Sequence, residues 1–539
     1  MHDYPLEERT IGRVLAEKAE RIPDKVFLIW EGERISYGQL EAMTNRYANG
    51  FAAQGVRHGD HVAVMLPNCP EFYGVTWGLG KLGAVVVPVN TAAKGEMLRY
   101  FIDQSDATRV VVDDEWAERL AAVCGQLPKV RRYFYRGPKE LACCGLQASG
   151  ADVAAFDVLE SKDESRPPLA AVAFDDTQLI MYTSGTTGPS KGVMCPHSQG
   201  HAVGRAVTLD FGYRPDDVLF TCLPLFHANA IWFSSYAALW ADAAIALVPR
   251  FSATRFWDDI RSSGATQFNA LGAMTNIIWK LAPGPHEHDH ALRLCMAVPV
   301  PKEIYRELQA RYRVELTSVF AMSENFSVTC FTPSDPEEKA GSAGRPRGAC
   351  ELRIVDDDGH DLPADQVGEI WVLPLMPGSM MKGYYRMPEE TARAFVDGWF
   401  RTGDRGYLDA DGYLYFVDRK KEAIRRRGEN ISAYEVELIL SRHPAVLEVA
   451  AIPVTSEMTE DDVMVYVVKK PGETLSHEEV VHFAAAHMSY FMVPRFVEFV
   501  ESLPKTATEK LEKYKLKQDA EARRSALWDR ERAGIHVAR

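Results

Sequence analysis

The stretch from Thr183 to Val193 has the composition of a phosphate-binding loop. It reads T-S-G-T-T-G-P-S-K-G-V and follows the apolar run 179–182. Glycine permits backbone conformations that a Cβ forbids, and hydroxyl and backbone N–H groups donate hydrogen bonds to phosphate oxygens. The glycines are Gly185, Gly188 and Gly192, and the hydroxyl residues are Thr183, Ser184, Thr186 and Thr187. With the positive charge of Lys191, these residues predict a loop that binds phosphate.

A Walker A loop does not fit this stretch. That motif requires four residues between its glycines, and its lysine is followed by the Ser or Thr that holds magnesium. Here only Thr186 and Thr187 separate the first two glycines, and Gly192 follows the lysine. On this stretch alone, a surface turn rich in Gly, Ser and Thr remains the alternative.

Further motifs with polar or charged side chains follow along the chain. They are Pro224–His227 (PLFH), Phe320–Glu324 (FAMSE), Gly344–Pro346 (GRP), Gly368–Ile370 (GEI), Trp399–Asp404 (WFRTGD), Asp418–Lys421 (DRKK) and Pro504–Lys510 (PKTATEK). Together with the loop, and in this order, they resemble the motifs of the adenylate-forming superfamily. That superfamily includes acyl-CoA synthetases, luciferases and the adenylation domains of peptide synthetases. The resemblance runs from about Ile11 to Lys517.

The resemblance implies an enzyme that joins a carboxylic acid to AMP, releases pyrophosphate and then transfers the acyl group to a thiol. It implies ATP, Mg²⁺ and coenzyme A as cofactors, and four catalytic residues. Lys510 would bridge the carboxylate and the α-phosphate, Glu324 would hold Mg²⁺, His227 would close on the acyl and ATP sites, and Lys191 would contact the pyrophosphate. Lys421 would be the hinge about which a C-terminal domain rotates between the two half-reactions.

The resemblance also implies a set of residues that contact the nucleotide or coenzyme A. They are Thr183, Ser184, Gly185, Thr186, Thr187, Gly188, Lys191, Val298, Pro299, Phe320, Ala321, Met322, Ser323, Asp404, Arg419, Gly428, Glu429, Asn430 and Lys510. Asp404 would accept the ribose hydroxyls, and the ring of Phe320 would pack on adenine.

Within the superfamily, the run Arg426–Ser432 followed by Glu435 is most similar to the crotonobetaine/carnitine-CoA ligases. A bulky cationic acid would suit an aromatic cage, for which Trp232, Phe233 and Tyr236 are candidates by cation–π attraction. Packing in the core is the alternative for these three rings, and we favour it. The predicted substrate pocket contains His227, Trp232, Phe233, Ala270, Ala297 and Ala321.

Two other functions remain open from the sequence. A stand-alone adenylation enzyme would load the thiol of a carrier protein instead of coenzyme A, and a non-catalytic homologue would only bind a nucleotide. The tract 286–290, H-E-H-D-H, lacks the H-E-x-x-H spacing of a zinc site and lies beside Pro283, Gly284 and Pro285, which favours a solvated loop.

The composition is that of an ordinary globular protein, with 46% hydrophobic and 25% charged residues among 539. A formal net charge of −14 argues against a nucleic-acid partner. The nine cysteines include no C-x-x-C pair, so we expect free thiols in a reducing compartment. No apolar run is long enough for a membrane span. We expect a cytoplasmic protein that binds small molecules, and we leave open whether it forms a homodimer.

Alternating apolar runs predict an α/β fold with a large N-terminal domain of parallel-rich sheets and a small β-rich lobe from Gly341 to Arg419. We expect residues 1–419 to form the domain that binds ATP and the acid, 420–421 the hinge, and 422–539 a mobile α/β domain that carries the adenylation lysine. Ser36 and Gln39 predict a capping box at a helix start. The last twenty residues are charged and predict a solvated helix or tail.

Overall fold

The computed structural model describes most of the chain and resolves it into two compact units. The described residues are 2–93, 95–138, 145–183, 190–271, 273–282, 284, 287–298, 300, 302–325, 328–419, 424–426, 429–431, 433–456, 461–488, 490, 492–506 and 511–537. The first unit comprises Met1–Glu351 and Leu373–Trp399, and the second comprises Leu352–Val372 and Phe400–Arg539. The predicted hinge at 420–421 lies outside the described residues, so the predicted domain limits stay a prediction.

A seven-stranded sheet forms the first layer of the first unit. Its strands are short and rich in β-branched residues, which fit a pleated surface covered on both faces. In spatial order they are Asp152–Ala155, Arg132–Arg136, Arg109–Asp113, His61–Met65, Val85–Pro88, Thr177–Thr183 and Lys191–Pro196. All neighbours are parallel except the last pair. The predicted phosphate loop therefore joins the two strands of the antiparallel pair at one edge of this sheet.

The second sheet of the unit has eight strands and the same parallel character. In spatial order they are Thr329–Phe331, Glu315–Phe320, Leu294–Val298, Gln267–Leu271, Val218–Thr221, Ala244–Leu247, Val26–Trp30 and Glu33–Ser36. The six central strands are parallel, and the strand at each end is antiparallel to its neighbour. This alternation of strand and helix confirms the predicted parallel-rich α/β fold.

The first unit also contains α-helices. They are Ile11–Arg21, Tyr37–Ala53, Pro70–Lys81, Gly95–Gln104, Asp114–Cys124, His197–Asp210, Ala237–Ala241, Phe256–Ser263, Ala273–Lys280, Tyr305–Tyr312 and Pro388–Ala394, with a π-helix at Asn229–Tyr236. The predicted capping box is confirmed: Ser36 accepts a hydrogen bond from the backbone of Gln39, whose side chain accepts one from the backbone of Ser36.

Between residues 350 and 419 the chain forms a five-stranded sheet, which confirms the predicted β-rich lobe. Its strands are Cys350–Val355, Gly368–Pro374, Phe395–Val396, Trp399–Leu408 and Leu414–Arg419. The strand Trp399–Leu408 pairs antiparallel with Leu414–Arg419, and this register places Asp404 opposite Arg419.

From Ile424 onward, the second unit is a small α/β structure. Its strands are Ile424–Arg426 and Glu429–Ile431 in one hairpin, and Val446–Thr455, Asp461–Lys469, Phe496–Phe499 and Trp528–Asp529 in a four-stranded sheet. Its helices are Ala433–Ser441, His477–His487 and Lys513–Arg523. Two apolar clusters pack on this sheet.

The prediction of a solvated helix or tail over the last twenty residues is wrong at Trp528 and Asp529. Trp528–Asp529 is a strand that pairs antiparallel with Phe496–Val497 at the edge of the four-stranded sheet. The Asp529 side chain is buried and accepts a hydrogen bond of 2.9 Å from Arg495 Nη2. A buried carboxylate needs a charged partner, and this one lies 34 residues upstream, where a local charge pattern does not reveal it.

Candidate active site

Both ends of the predicted phosphate loop are anchored in the first unit. Thr183 and Lys191 are paired in the antiparallel register, and Thr183 Oγ1 lies 3.5 Å from the carbonyl oxygen of Lys191. The hydroxyl of Tyr100, on the helix Gly95–Gln104, donates a hydrogen bond of 2.9 Å to the carbonyl of Ser190. The loop residues Ser184, Gly185, Thr186, Thr187 and Gly188 lie outside the described residues.

Among the described residues, Glu390 and Tyr384 contact the ammonium group of Lys191. Its Nζ lies 2.8 Å from Glu390 Oε2, and it lies 4.7 Å from the centre of the Tyr384 ring. The hydrogen bond from Lys191 lowers the pKa of the Glu390 carboxyl, so this group is ionised at neutral pH. Lys191 Nζ therefore lies next to a carboxylate and over an aromatic face.

Glu324 follows the strand Glu315–Phe320 and lies on the other side of Tyr384. The Tyr384 hydroxyl donates a hydrogen bond of 3.1 Å to Glu324 Oε1. Burial raises the pKa of that hydroxyl, and the Glu324 charge raises it further, so the hydroxyl keeps its proton. Mg²⁺ is usually held by one or two carboxylates together with substrate phosphates. A half-buried carboxylate linked through one tyrosine to the lysine of a phosphate loop fits that ion.

The residues expected near adenine and the acyl group lie at the carboxyl ends of neighbouring strands. Ala270 is paired with Ala297, and Leu271 with Val298. Ala270 and Ala297 are fully buried, and Phe320 is 8% exposed. Ligands of open parallel sheets bind beyond this edge.

After Phe320 the chain turns through Ala321, Met322 and Ser323, which are half-buried. Gln199 holds this turn by a hydrogen bond of 3.0 Å from its Nε2 to the carbonyl of Ser323. Pro299, the neighbour of Val298, lies outside the described residues.

His227 is exposed and lies just before the π-helix Asn229–Tyr236. Its Nδ1 lies 3.4 Å from the backbone nitrogen of Asn229. Trp232 is 1% exposed and Phe233 5% exposed, and the Tyr236 hydroxyl donates a hydrogen bond of 2.9 Å to Gln178. The aromatic cage stays a prediction, and the burial of these rings agrees with core packing.

In the second unit, Asp404 is 8% exposed on the strand Trp399–Leu408, where its backbone nitrogen donates a hydrogen bond of 3.0 Å to Thr402 Oγ1. The backbones of Glu429 and Asn430 form a hairpin strand opposite Ile424–Arg426. The predicted residues Lys421, Gly428 and Lys510 lie outside the described residues. The roles of all these residues stay predictions.

Two family descriptions match the chain. Residues 15–385 match the AMP-binding enzymes, and residues 435–510 match the C-terminal domain of AMP-binding enzymes. The chain belongs to the AMP-binding enzyme family. The predicted membership of the adenylate-forming superfamily is thus confirmed.

Known AMP-binding enzymes resemble the chain over nearly its whole length. The crotonobetaine/carnitine–CoA ligase of Salmonella agona is 32% identical over 504 residues, which cover 92% of this chain and 96% of that enzyme. The corresponding ligase of Citrobacter koseri is 32% identical over 515 residues, covering 93% and 97%.

Solved structures of AMP-binding enzymes share the fold. An anthranilate CoA ligase in complex with anthranoyl-AMP matches with a TM-score of 0.87 at 24% identity, covering 97% of this chain and 99% of its own. ATP-bound MatB from Rhodopseudomonas palustris matches with a TM-score of 0.81 at 25% identity, covering 95% and 99%.

None of the sequence motifs named above contains Tyr384 or Glu390. Both belong to the run G-Y-Y-R-M-P-E-E, 383–390, whose only local signal is a helix start at Pro388. Their contacts with Glu324 and Lys191 span 60 and about 200 residues of sequence. Only the folded chain brings them to the site.

Two residues of the H-E-H-D-H tract have contacts in the first unit. Glu287 is buried in an ion pair with Arg311, and His290 stacks on the ring of Trp257. The predicted solvated loop is therefore wrong for Glu287.

Within the described ranges, one group of three residues has metal-ligand atoms close together: Asp356, Asp358 and His360 in a turn of the second unit. None of the described helices is long and apolar enough to cross a membrane.

Proposed function

We propose that the protein is an ATP-dependent acyl-CoA ligase that activates a carboxylic acid as acyl-AMP, releases pyrophosphate and then transfers the acyl group to the thiol of coenzyme A. The observation that carries this proposal is the contact of one residue, Tyr384, with both Lys191 and Glu324. It joins the lysine of the phosphate loop to a carboxylate suited to Mg²⁺. The relatives named as CoA ligases support the same reaction.

Such a site must overcome repulsion between two anions. In the first half-reaction a carboxylate attacks the α-phosphate of ATP, and two unit charges of like sign about 4 Å apart repel by roughly 4 kcal/mol at an effective dielectric constant near 20. Positive charges held in place offset this repulsion in the transition state. The chain has a net charge of −14, so these charges must be concentrated locally.

Lys191 would neutralise the pyrophosphate that leaves, from its fixed position at the end of the loop. Glu324 would hold Mg²⁺, which when bound offsets charge on the phosphates. Lys510 would bridge the attacking carboxylate and the α-phosphate, and Asp404 would accept the ribose hydroxyls. His227, exposed at the start of the π-helix, would close on the acyl group.

The second half-reaction needs the adenylation lysine out of the way. We assign Lys421 as the hinge about which the domain 422–539 turns, and the segment Gly428–Asn430 as the part that faces the thioester-forming site. Hinge closure of this kind can assemble one active site twice in one cycle.

The named relatives suggest the class of acid. They are crotonobetaine/carnitine–CoA ligases, so we propose trimethylammonium acids as the first acids to test. If Trp232 contributes to recognition of such a cation, Trp232→Ala raises the KM for the acid, and an unchanged KM for every accepted acid excludes that role.

The test of the reaction is a panel of carboxylic acids in two assays. ATP–pyrophosphate exchange reports the adenylate, and CoA-dependent AMP release reports the thioester. Exchange without any CoA-dependent AMP release would instead indicate a carrier-protein thiol. The absence of exchange with every acid, together with a lack of ATP binding, would refute the proposal.

Lys510→Ala tests the two-step assignment. We expect this variant to lose ATP–pyrophosphate exchange and to retain thioester formation from a supplied acyl-adenylate, because the lysine serves only the first step. Lys505→Ala is a matched control in the same segment, since Lys505 pairs with Glu448 at 2.6 Å. Normal exchange by Lys510→Ala would contradict the assignment.

A further inference from the structure

The segment Met380–Tyr385 connects the two charged parts of the site. On one side it pairs with the strand that begins at Lys191. Backbone hydrogen bonds run from Lys382 to the carbonyl of Met194 at 2.8 Å, from Met194 to the carbonyl of Gly383 at 3.0 Å, and from Tyr385 to the carbonyl of Gly192 at 2.7 Å. Val193 and Tyr384 form an antiparallel bridge.

On its other side the same segment contacts the turn that carries Glu324. The backbone nitrogen of Met381 donates a hydrogen bond of 2.9 Å to the carbonyl of Glu324, and Met380 and Asn325 form an antiparallel bridge. Because both contacts are backbone hydrogen bonds, the separation between the strand and the turn is set by main-chain geometry.

The backbone of Tyr384 is itself held in place. Its nitrogen donates a hydrogen bond of 2.9 Å to Thr391 Oγ1, and that hydroxyl donates one of 2.9 Å to the carbonyl of Met387. The preceding residue, Gly383, has φ +133°, and a Cβ there would lie 2.8 Å from Thr391 Cγ2. Only glycine fits this conformation and this close approach.

The side chain of Tyr384 extends from this fixed backbone to both charged groups. It is 6% exposed, its hydroxyl lies 3.1 Å from Glu324 Oε1, and its ring centre lies 4.7 Å from Lys191 Nζ. We propose that Tyr384 is a positioning residue that orients the Glu324 carboxylate through its hydroxyl and the Lys191 ammonium through its ring. This inference rests on the proposed function of Lys191 and Glu324.

The two interactions restrict different motions. A hydrogen bond to a carboxylate is stronger than one between neutral groups and selects one rotamer of the acid. An ammonium over an aromatic ring is attracted by the negative face of the ring. Holding both groups before ATP arrives removes part of the ordering cost of binding, which is the advantage of a preorganised site.

Packing alone is the competing explanation, because Tyr384 is buried. Tyr384→Phe separates the two explanations, since it keeps the ring and the packing and removes only the hydroxyl. Tyr385→Phe is the matched control, because the Tyr385 hydroxyl bonds to Asp106 at 2.7 Å and not to Glu324.

The experiment measures ATP binding by calorimetry without Mg²⁺ and at saturating Mg²⁺, in the absence of any acid. The ratio of the two Kd values is the Mg²⁺ enhancement. We expect Tyr384→Phe to reduce this enhancement by about fivefold or more, and to change the Kd without Mg²⁺ less than about twofold. Tyr384→Leu, which also removes the ring, should in addition weaken binding without Mg²⁺ by about two- to fivefold.

A double-mutant cycle completes the test. In a Glu324→Gln background, the effect of Tyr384→Phe on the Mg²⁺ enhancement should disappear, because the two residues act through one hydrogen bond. An enhancement in Tyr384→Phe equal to that of wild type and Tyr385→Phe would overturn the proposal. If wild-type protein bound no ATP at all, the proposed function would fail instead, so the two failures are distinguishable.

Discussion

Glu390 is expected to compete with phosphate for Lys191, and its removal should strengthen binding of pyrophosphate and ATP. The carboxylate lies 2.8 Å from Lys191 Nζ, and the two side chains are 36% and 32% exposed. A partly exposed ion pair of this kind contributes about 0.2–1 kcal/mol. A polyanion that binds Lys191 must displace this pair, which weakens its apparent affinity by about 1.4- to 5-fold. Repulsion between Glu390 and the phosphates acts in the same direction.

Glu390→Gln should therefore lower the Kd of pyrophosphate, and the KM for ATP, by a factor in that range. Glu389→Gln is the matched control, because it makes the same change in charge one residue away. Glu389 is 85% exposed and pairs with Arg393 at 3.5 Å. We expect the Kd of Glu389→Gln for pyrophosphate to stay within about 1.5-fold of that of wild type, since an exposed ion pair contributes little to stability.

The assay is calorimetric titration with pyrophosphate at low and high salt. The Debye length falls from about 10 Å at 0.1 M to about 3 Å at 1 M, so the difference between Glu390→Gln and wild type should shrink at high salt. A Kd for Glu390→Gln that equals that of Glu389→Gln, or exceeds that of wild type, would refute the reasoning. The second result would mean that Glu390 orients Lys191 productively.

Two further predictions concern stability. Gly383→Ala should lower the free energy of unfolding by about 1–3 kcal/mol, because the φ of +133° at Gly383 and the nearby Thr391 both disfavour a Cβ. Urea unfolding measures this change. The control is Gly125→Ala, whose Cβ would meet no atom within 4 Å and which should be nearly neutral. His197 is fully buried, and burial lowers its pKa to about 4, against the opposing effect of the Asp176 charge. As the pH falls from 6.5, His197 therefore takes up a proton in the unfolded chain before it does so in the folded chain. Relative to His197→Gln, the free energy of unfolding of the wild type should fall by up to about 3 kcal/mol between pH 6.5 and 4. Parallel pH profiles of the urea midpoints for these two proteins would contradict the second prediction.

Much of the first unit could be predicted because its signals are local. The strand Leu294–Val298 comes from an apolar run, L-C-M-A-V, that lies between Arg293 and Pro299 in the sequence. A short apolar run between a charged residue and a proline is the pattern of a buried strand. The capping box at Ser36 could also be predicted from a local signal, since its two partners are three residues apart.

The parts of the site that could not be predicted depend on distant pairing. Tyr384 reaches Glu324 only because the segment around Gly383 pairs with the strand that begins at Lys191. No periodicity in the run 380–391 indicates this pairing, because it consists of isolated bridges and a few backbone hydrogen bonds. Glu390 follows Glu389 in a charged helix start, and only the structure distinguishes the carboxylate that contacts Lys191 from its neighbour.

The edge strand Trp528–Asp529 has a consequence for the order in which the chain folds during synthesis. Its partner Phe496–Phe499 leaves the ribosome about thirty residues earlier. At that point Arg495 cannot yet form its ion pair with Asp529. A domain folds as a unit once its sequence is available. The four-stranded sheet of the second unit can therefore be completed only after residue 529 has been made, so the first unit can reach its native state on the ribosome while the second is still incomplete.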